Sequence, residues 1–148
     1  MSLRSQFTDS EWVELEKAPV RAFIMTAAAD GKIDKKEAAA FAKELAETHL
    51  YKDELAREVF GSLTSHLATV LPDCASSPED VVDGLRSAGR ILDSKCPQHA
   101  DGFKGSVLTI CKNVAAASGG GIFGGDKISD NETIGIVLIA EALGLKLS

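Results

Sequence analysis

The sequence is poor in aromatic residues and contains neither a long apolar run nor a block of five like charges. Aromatic residues make up 5% of the chain although 45% of it is hydrophobic. That balance favours helices over sheets, because strands are usually enriched in aromatic and β-branched residues. The most apolar stretch, Ile134 to Ala140, is far shorter than the roughly 20 residues that cross a bilayer. Since the chain also lacks a signal-peptide pattern, we expect a cytoplasmic protein without a membrane span.

Charge and cysteine usage exclude further classes of protein. The net charge is −6, which argues against a nucleic-acid partner because binding phosphates requires clustered lysine and arginine. The three cysteines, Cys74, Cys96 and Cys111, form no C-x-x-C pair. An odd number without close pairs is a poor disulfide framework, and neither a zinc knuckle nor a redox motif is indicated.

Capping signals divide the chain into helices. At 148 residues it is long enough for one domain, 1–148, in which we expect 1–6 to be a loose N-terminus. Thr8-x-x-Glu11 reads as a capping box at the start of a helix over 9–17. Pro19 is expected to break or kink the chain after that helix, and Pro72 to end a helix over 53–71. The sequence predicts an all-α, single-domain bundle of about seven helices. The last helix is apolar nearly all round, which is typical of a central helix or of a dimerisation face.

One motif occurs twice. Residues 27–37 read AAADGKIDKKE, and the second copy begins with AAA at 115–117 and continues with KISDNE at 127–132. Lys-Ile-x-x-x-Glu recurs, and seven additional residues separate it from the alanines in the second copy. Each copy joins the end of one apolar helix to the start of the next, so the repeat predicts two helix pairs related by a pseudo-twofold axis.

The two junctions concentrate carboxylates. If the junctions face each other, the carboxylates could hold a divalent metal of unknown identity, since converging anions need a cation. The candidate metal ligands are Asp30, Asp34, Glu37, Asp126, Asp130 and Glu132. The alternative is that Asp34, Glu37, Ser129 and Glu132 are only helix caps.

A single calcium loop does not fit the first copy. Asp30 to Glu37 resembles the second half of an EF-hand loop, but Thr26 and Ala28 stand where the first two acidic ligands would be. Calcium takes about six to eight oxygen ligands, and one such junction supplies too few. A true EF-hand is therefore excluded.

The second junction carries a glycine-rich segment, 118–125, reading SGGGIFGG. Its glycine spacing matches the start of a P-loop, but the Lys-Ser/Thr that must follow is missing, so nucleotide binding is rejected. Ile122 and Phe123 at its centre instead suggest a tip that contacts a protein partner or a second copy in a homodimer, or that folds back over the core.

No spacing indicates an enzyme. The sequence shows no Cys/His pair and no Ser/His/Asp order, although such sites assemble in space. His66 is expected to pack or to face solvent, while His99-x-Asp101 could contribute to a metal site. If catalysis exists, the region of Asp30, Asp34 and Asp130 is where we expect it.

These residues carry a resemblance to a known family. ADGKIDKKE at 29–37, KISDNE at 127–132 and IAEALGL at 139–145 are similar to segments of the TerB-like family of bacterial tellurite-resistance and stress proteins. The resemblance implies a seven-helix fold and a pair of acidic helix starts proposed to bind metal. We interpret the chain as a non-enzymatic, stress-associated domain. Ser118-Gly119 stands where that family has Asp-Gly, and Asp126 is the candidate replacement.

Overall fold

The computed structural model describes residues 3–27, 35–47, 53–119 and 130–144, with side chains left out at 27, 35, 78, 115–119 and 130–136. These ranges contain seven α-helices and no strand. The helices are α1 Asp9–Ala27, α2 Lys35–Ala46, α3 Glu54–Thr64, α4 Leu67–Ala75, α5 Val81–Lys95, α6 Pro97–Gly119 and α7 Asp130–Leu143, with 3-10 turns at Leu3–Gln6 and Pro78–Asp80. The predicted all-α bundle is thereby confirmed.

Helix α1 begins at the predicted capping box. The Thr8 amide donates to Glu11 Oε1 at 2.8 Å, and the Glu11 amide donates to Thr8 Oγ1 at 3.2 Å. The hydrogen bond from the Thr8 amide lowers the pKa of the Glu11 carboxyl. Two amides that have no partner inside the helix are thus satisfied by side chains, as this motif predicts.

The predicted end of a helix before Pro19 is wrong, because α1 continues through it to Ala27. Pro19 is buried, and Ala18 and Val20 beside it are fully buried in the core. A proline inside a helix loses one hydrogen bond, but burial of the surrounding apolar face favours an unbroken α1.

The helix predicted over 53–71 is two helices. Asp53 caps the start of α3 as its Oδ2 accepts from the Ala56 amide at 2.9 Å. The chain then breaks at Ser65 and His66, where His66 has φ −134° and ψ 23°. Helix α4 also runs through Pro72 rather than stopping there.

The core forms around α1 and α6. Helix α1 packs against α3, α4, α5, α6 and α7, while α2 packs against α3 and α6. Phe23 of α1 stacks on Phe41 of α2 with ring centroids 4.4 Å apart, and Phe60 of α3 meets Phe103 of α6. Both helix pairs of the repeat, α1 with α2 and α6 with α7, therefore share this core.

Helix α7 is packed on one side only at its C-terminal half. Ile139, Ala140 and Leu143 are buried, but Val137 and Leu138 are 40% and 47% exposed. The helix ends where Gly144 adopts φ +80°, a conformation that glycine adopts without strain. Among the described residues, no helix is long and apolar enough to span a bilayer.

Candidate functional site

The predicted metal ligands lie almost entirely outside the described side chains. Asp30, Asp34 and Asp126 fall outside the described residues, as do Ile122 and Phe123. Asp130 and Glu132 lie in the first turn of α7, where the structure gives the backbone only. The metal site and the partner-binding tip therefore stay predictions.

Glu37 is the predicted ligand whose side chain is described. It lies in the first turn of α2 and is 7% exposed. Carboxylates are stabilised at this end of a helix by the helix dipole, but they are seldom buried to this degree. Its position fits a helix cap as well as a metal ligand.

The ends of the first helix pair lie close to α6. Thr26, in the last turn of α1, lies close enough to Cys111 of α6 for its hydroxyl to offset part of the effect of burial on the pKa of that thiol. Asn113 of α6 donates to Glu44 Oε2 of α2 at 3.2 Å. Contacts from α1 and from α2 thus meet α6 in its C-terminal half, the half that leads into the second junction. Among the described side chains, no three His, Cys, Asp or Glu residues converge as metal ligands would.

A second polar cluster, not anticipated from the sequence, joins α1 to α3 and α4. Glu16 Oε2 accepts from Ser62 Oγ and from His66 Nε2, each at 2.7 Å. The Trp12 indole N–H points toward Ser62 Oγ at the longer distance of 3.5 Å. Among the described side chains of α1, the buried ones are 12, 15, 16, 18–20, 22–24 and 26. Glu16 is the one acidic residue in this set, and an acidic residue among buried positions was the sequence signal that could have revealed the cluster.

This cluster does not have the order of a catalytic triad. In a serine triad the histidine lies between the hydroxyl and the acid, so that it removes the hydroxyl proton. Here the carboxylate of Glu16 lies between Ser62 and His66. The Ser62 hydroxyl donates to a carboxylate, which is ordinarily a weaker base than imidazole, so the cluster lacks the geometry of that triad.

A third polar contact ties α3 to α6. His99 Nδ1 lies 2.8 Å from Asp53 Oδ1, and a Cβ on Gly102 would come within 2.9 Å of that same oxygen. His99 therefore pairs with a carboxylate 46 residues earlier in the chain, while Asp101 is exposed.

The Cys96 thiol lies near this pair, and its Sγ donates to Gln6 Oε1 at 3.1 Å. Burial raises the pKa of the Cys96 thiol, and the charge of Asp53 adds a smaller contribution. A protonated, buried thiol is a weak nucleophile, so this group stabilises packing.

Comparison with known proteins gives one full-length similarity. No family model matches the chain, and no solved structure matches it. A protein of Methanothermobacter thermautotrophicus described as "Uncharacterized protein ORF11'" is 26% identical over 153 residues, which cover 94% of this chain and 90% of that protein. The chain is therefore similar over almost its whole length to an archaeal protein whose description gives no activity. These comparisons leave the resemblance to the TerB-like family as a prediction.

Proposed function

We propose that this chain is a non-enzymatic domain of the TerB-like, stress-response type that binds a divalent cation at its acidic helix junctions. The observation that carries the proposal is the duplicated acidic junction, in which Lys-Ile-x-x-x-Glu recurs at 32–37 and at 127–132. Carboxylates that converge repel one another unless opposite charge or hydrogen bonds compensate them. A bound cation would contribute that compensation to the whole group of carboxylates.

The repeat explains why two junctions are proposed to act together. The first junction joins α1 to α2, and the second joins α6 to α7. Helices α1 and α6 pack against each other, α2 packs against α6, and α7 packs against both α1 and α6. The proposed ligands are Asp30, Asp34 and Glu37 from the first junction and Asp126, Asp130 and Glu132 from the second. Because all of these ligands are carboxylates, the site favours hard cations such as Ca²⁺, Mg²⁺ or Mn²⁺ over the thiolate- and imidazole-preferring metals.

Calorimetry and thermal unfolding test the proposal on the full chain after treatment with a chelator. A cation at about 100 times its Kd should stabilise the fold by about 2.7 kcal/mol. For a domain of this size, that corresponds to a rise in Tm of about 5–10 °C.

Charge-matched variants locate the binding. The double variant Asp30→Asn/Asp130→Asn should lose the heat of binding and the rise in Tm. Asp83→Asn/Glu79→Gln removes the same number of charges and is the control, because both residues are exposed. Among the described residues, Asp83 forms an i,i+3 ion pair with Arg86, and its side chain is 80% exposed. Absence of binding by the unmodified protein at millimolar concentrations of Ca²⁺, Mg²⁺, Mn²⁺ and Zn²⁺ would refute the proposal.

A second candidate function, protein interaction, is supported by a different observation. Val137 and Leu138 are adjacent large apolar side chains that are substantially exposed on α7. This helix follows the glycine-rich segment whose Ile122 and Phe123 are the predicted contact residues. We propose homodimerisation through this surface as the alternative, with the junction acids acting only as helix caps. Sedimentation should then show a dimer that Leu138→Ser converts to a folded monomer, and a monomeric unmodified protein would contradict it.

A further inference from the structure

A groove runs beside the N-terminal half of α1, where this helix faces the end of α3 and the start of α4. Its volume is about 480 Å³, within the range of about 300–1,000 Å³ typical of small-molecule sites. Trp12, Val13 and Val70 give it apolar walls, and Val13 is 41% exposed along it. The groove can therefore cover a hydrocarbon group of modest size.

One carboxylate in this groove keeps an unused acceptor. The Glu16 side chain is 6% exposed, and both of its hydrogen bonds, from Ser62 and from His66, end on Oε2. Among the described residues, Oε1 accepts no hydrogen bond. Among the described residues, every side-chain nitrogen or oxygen that is inaccessible to solvent has a hydrogen-bond partner. Oε1 must therefore reach solvent, and Glu16 lines the groove.

The arginine and the aspartate that line the groove pair with each other rather than with Glu16. Arg4 and Asp9 also line it, but they form an ion pair with each other, and the Arg4 guanidinium lies over the Trp12 ring at 5.2 Å. Ser62 contributes only a hydroxyl, and both Ser62 and His66 contact Oε2 rather than Oε1. The second carboxylate oxygen consequently remains beside apolar walls, a combination that attracts a cation attached to a hydrocarbon group.

We propose that this groove binds a small amphipathic amine. Its ammonium group donates to Glu16 Oε1, and its hydrocarbon part lies against Val13, Val70 and the edge of Trp12. A metal ion is a poorer occupant, since the described His, Cys, Asp and Glu side chains form no group of three that could coordinate one. An anion would meet the Glu16 charge directly.

This site is separate from the proposed cation site. Glu16 lies eleven residues before Ala27, the last residue of α1, which corresponds to about 16 Å along the helix. The amine proposal does not rest on the junction carboxylates. Either proposal can fail while the other stands.

Fluorescence of Trp12 measures binding directly, because it is the one tryptophan in the sequence. Three probes of similar shape are compared: 2-phenylethylamine, 2-phenylethanol and 3-phenylpropionate. The amine should change the emission saturably. It should bind about 10- to 100-fold more tightly than the alcohol, as expected for a hydrogen bond to a charged group. The carboxylate probe should bind more weakly than the alcohol.

Substitution of the carboxylate isolates its role. Glu16→Gln keeps an oxygen that accepts from Ser62 but removes the charge, so the amine should bind only as well as the alcohol does. Glu79→Gln makes the same change in net charge at an exposed position that does not line the groove, and it should leave amine affinity unchanged. If Glu16→Gln fails to fold, Val13→Lys tests the proposal in its place. A lysine at this exposed position would compete with the amine for Glu16, so the affinity for the amine should fall at least fivefold.

Three results would overturn the proposal. The first is equal affinity for the amine and the alcohol, which would show an apolar groove without a charged contact. The second is an amine affinity that Glu16→Gln, or Val13→Lys in its place, leaves unchanged. The third is an emission spectrum that none of the probes alters.

Discussion

Replacement of Gly89 by alanine should separate two helices that touch backbone to backbone. Gly89 lies in α5, and a Cβ built on it would be 2.4 Å from the Leu143 carbonyl oxygen and 3.0 Å from the carbonyl carbon. Leu143 is buried and is the last residue of α7. Because the obstacle is backbone rather than the end of a flexible side chain, the clash is relieved only if one helix moves.

The size of the effect follows from two opposing contributions. Alanine is more favourable than glycine inside a helix by up to about 1 kcal/mol. Excess volume in a packed interior costs about 1–3 kcal/mol, and a backbone clash belongs at the upper end of that range. We therefore expect Gly89→Ala to lower the free energy of unfolding by about 2 kcal/mol.

Gly105 offers a matched control in α6. A Cβ on Gly105 would have nothing within 4 Å, so Gly105→Ala gains the helix preference without a clash and should stabilise the fold by about 0.5–1 kcal/mol. Urea unfolding followed by far-UV circular dichroism compares both variants with the unmodified protein. Opposite signs are expected. A Gly89→Ala protein as stable as the unmodified one would refute the close approach of α5 and α7.

Two further predictions concern buried polar groups. Lys104 is 1% exposed and donates to Asp93 at 2.8 Å, so Asp93→Asn should cost about 1–3 kcal/mol in urea unfolding, whereas Asp83→Asn should cost almost nothing. Burial raises the pKa of the Cys111 thiol from 9.0 to about 12. The native state then holds a proton that the unfolded chain has lost, so stability should fall by about 1.4 kcal/mol per pH unit above about pH 9. Cys111→Ala should remove that part of the slope, and parallel pH profiles would contradict the assignment.

Features encoded within three or four residues were predictable from the sequence. The reciprocal bonds between Thr8 and Glu11 formed where the capping box predicted them, and a helix begins next to residue 53, as predicted. The apolar residues of α3 also follow helical spacing, and Leu55, Val59, Phe60 and Leu63 lie in the core. Each of these depends on chemistry inside one turn of helix, which the sequence displays directly.

The two prolines show that local sequence rules alone do not determine where these helices end. Both Pro19 and Pro72 lie inside helices, although each was expected to interrupt one. For α1, the flanking residues Ala18 and Val20 are fully buried, and their burial depends on helices distant in sequence. The stabilisation that keeps α1 unbroken is thus tertiary.

The polar clusters depend on still longer separations. Glu16 meets His66 across 50 residues, and Asp53 meets His99 across 46, and no motif spacing specifies either pair. The break between α3 and α4 is part of the same geometry, because it places His66 at the start of α4, where its ring reaches Glu16. A histidine expected only to pack or face solvent consequently orients a buried carboxylate. Since both bonds occupy Oε2, the fold itself leaves the other oxygen of Glu16 available to a ligand.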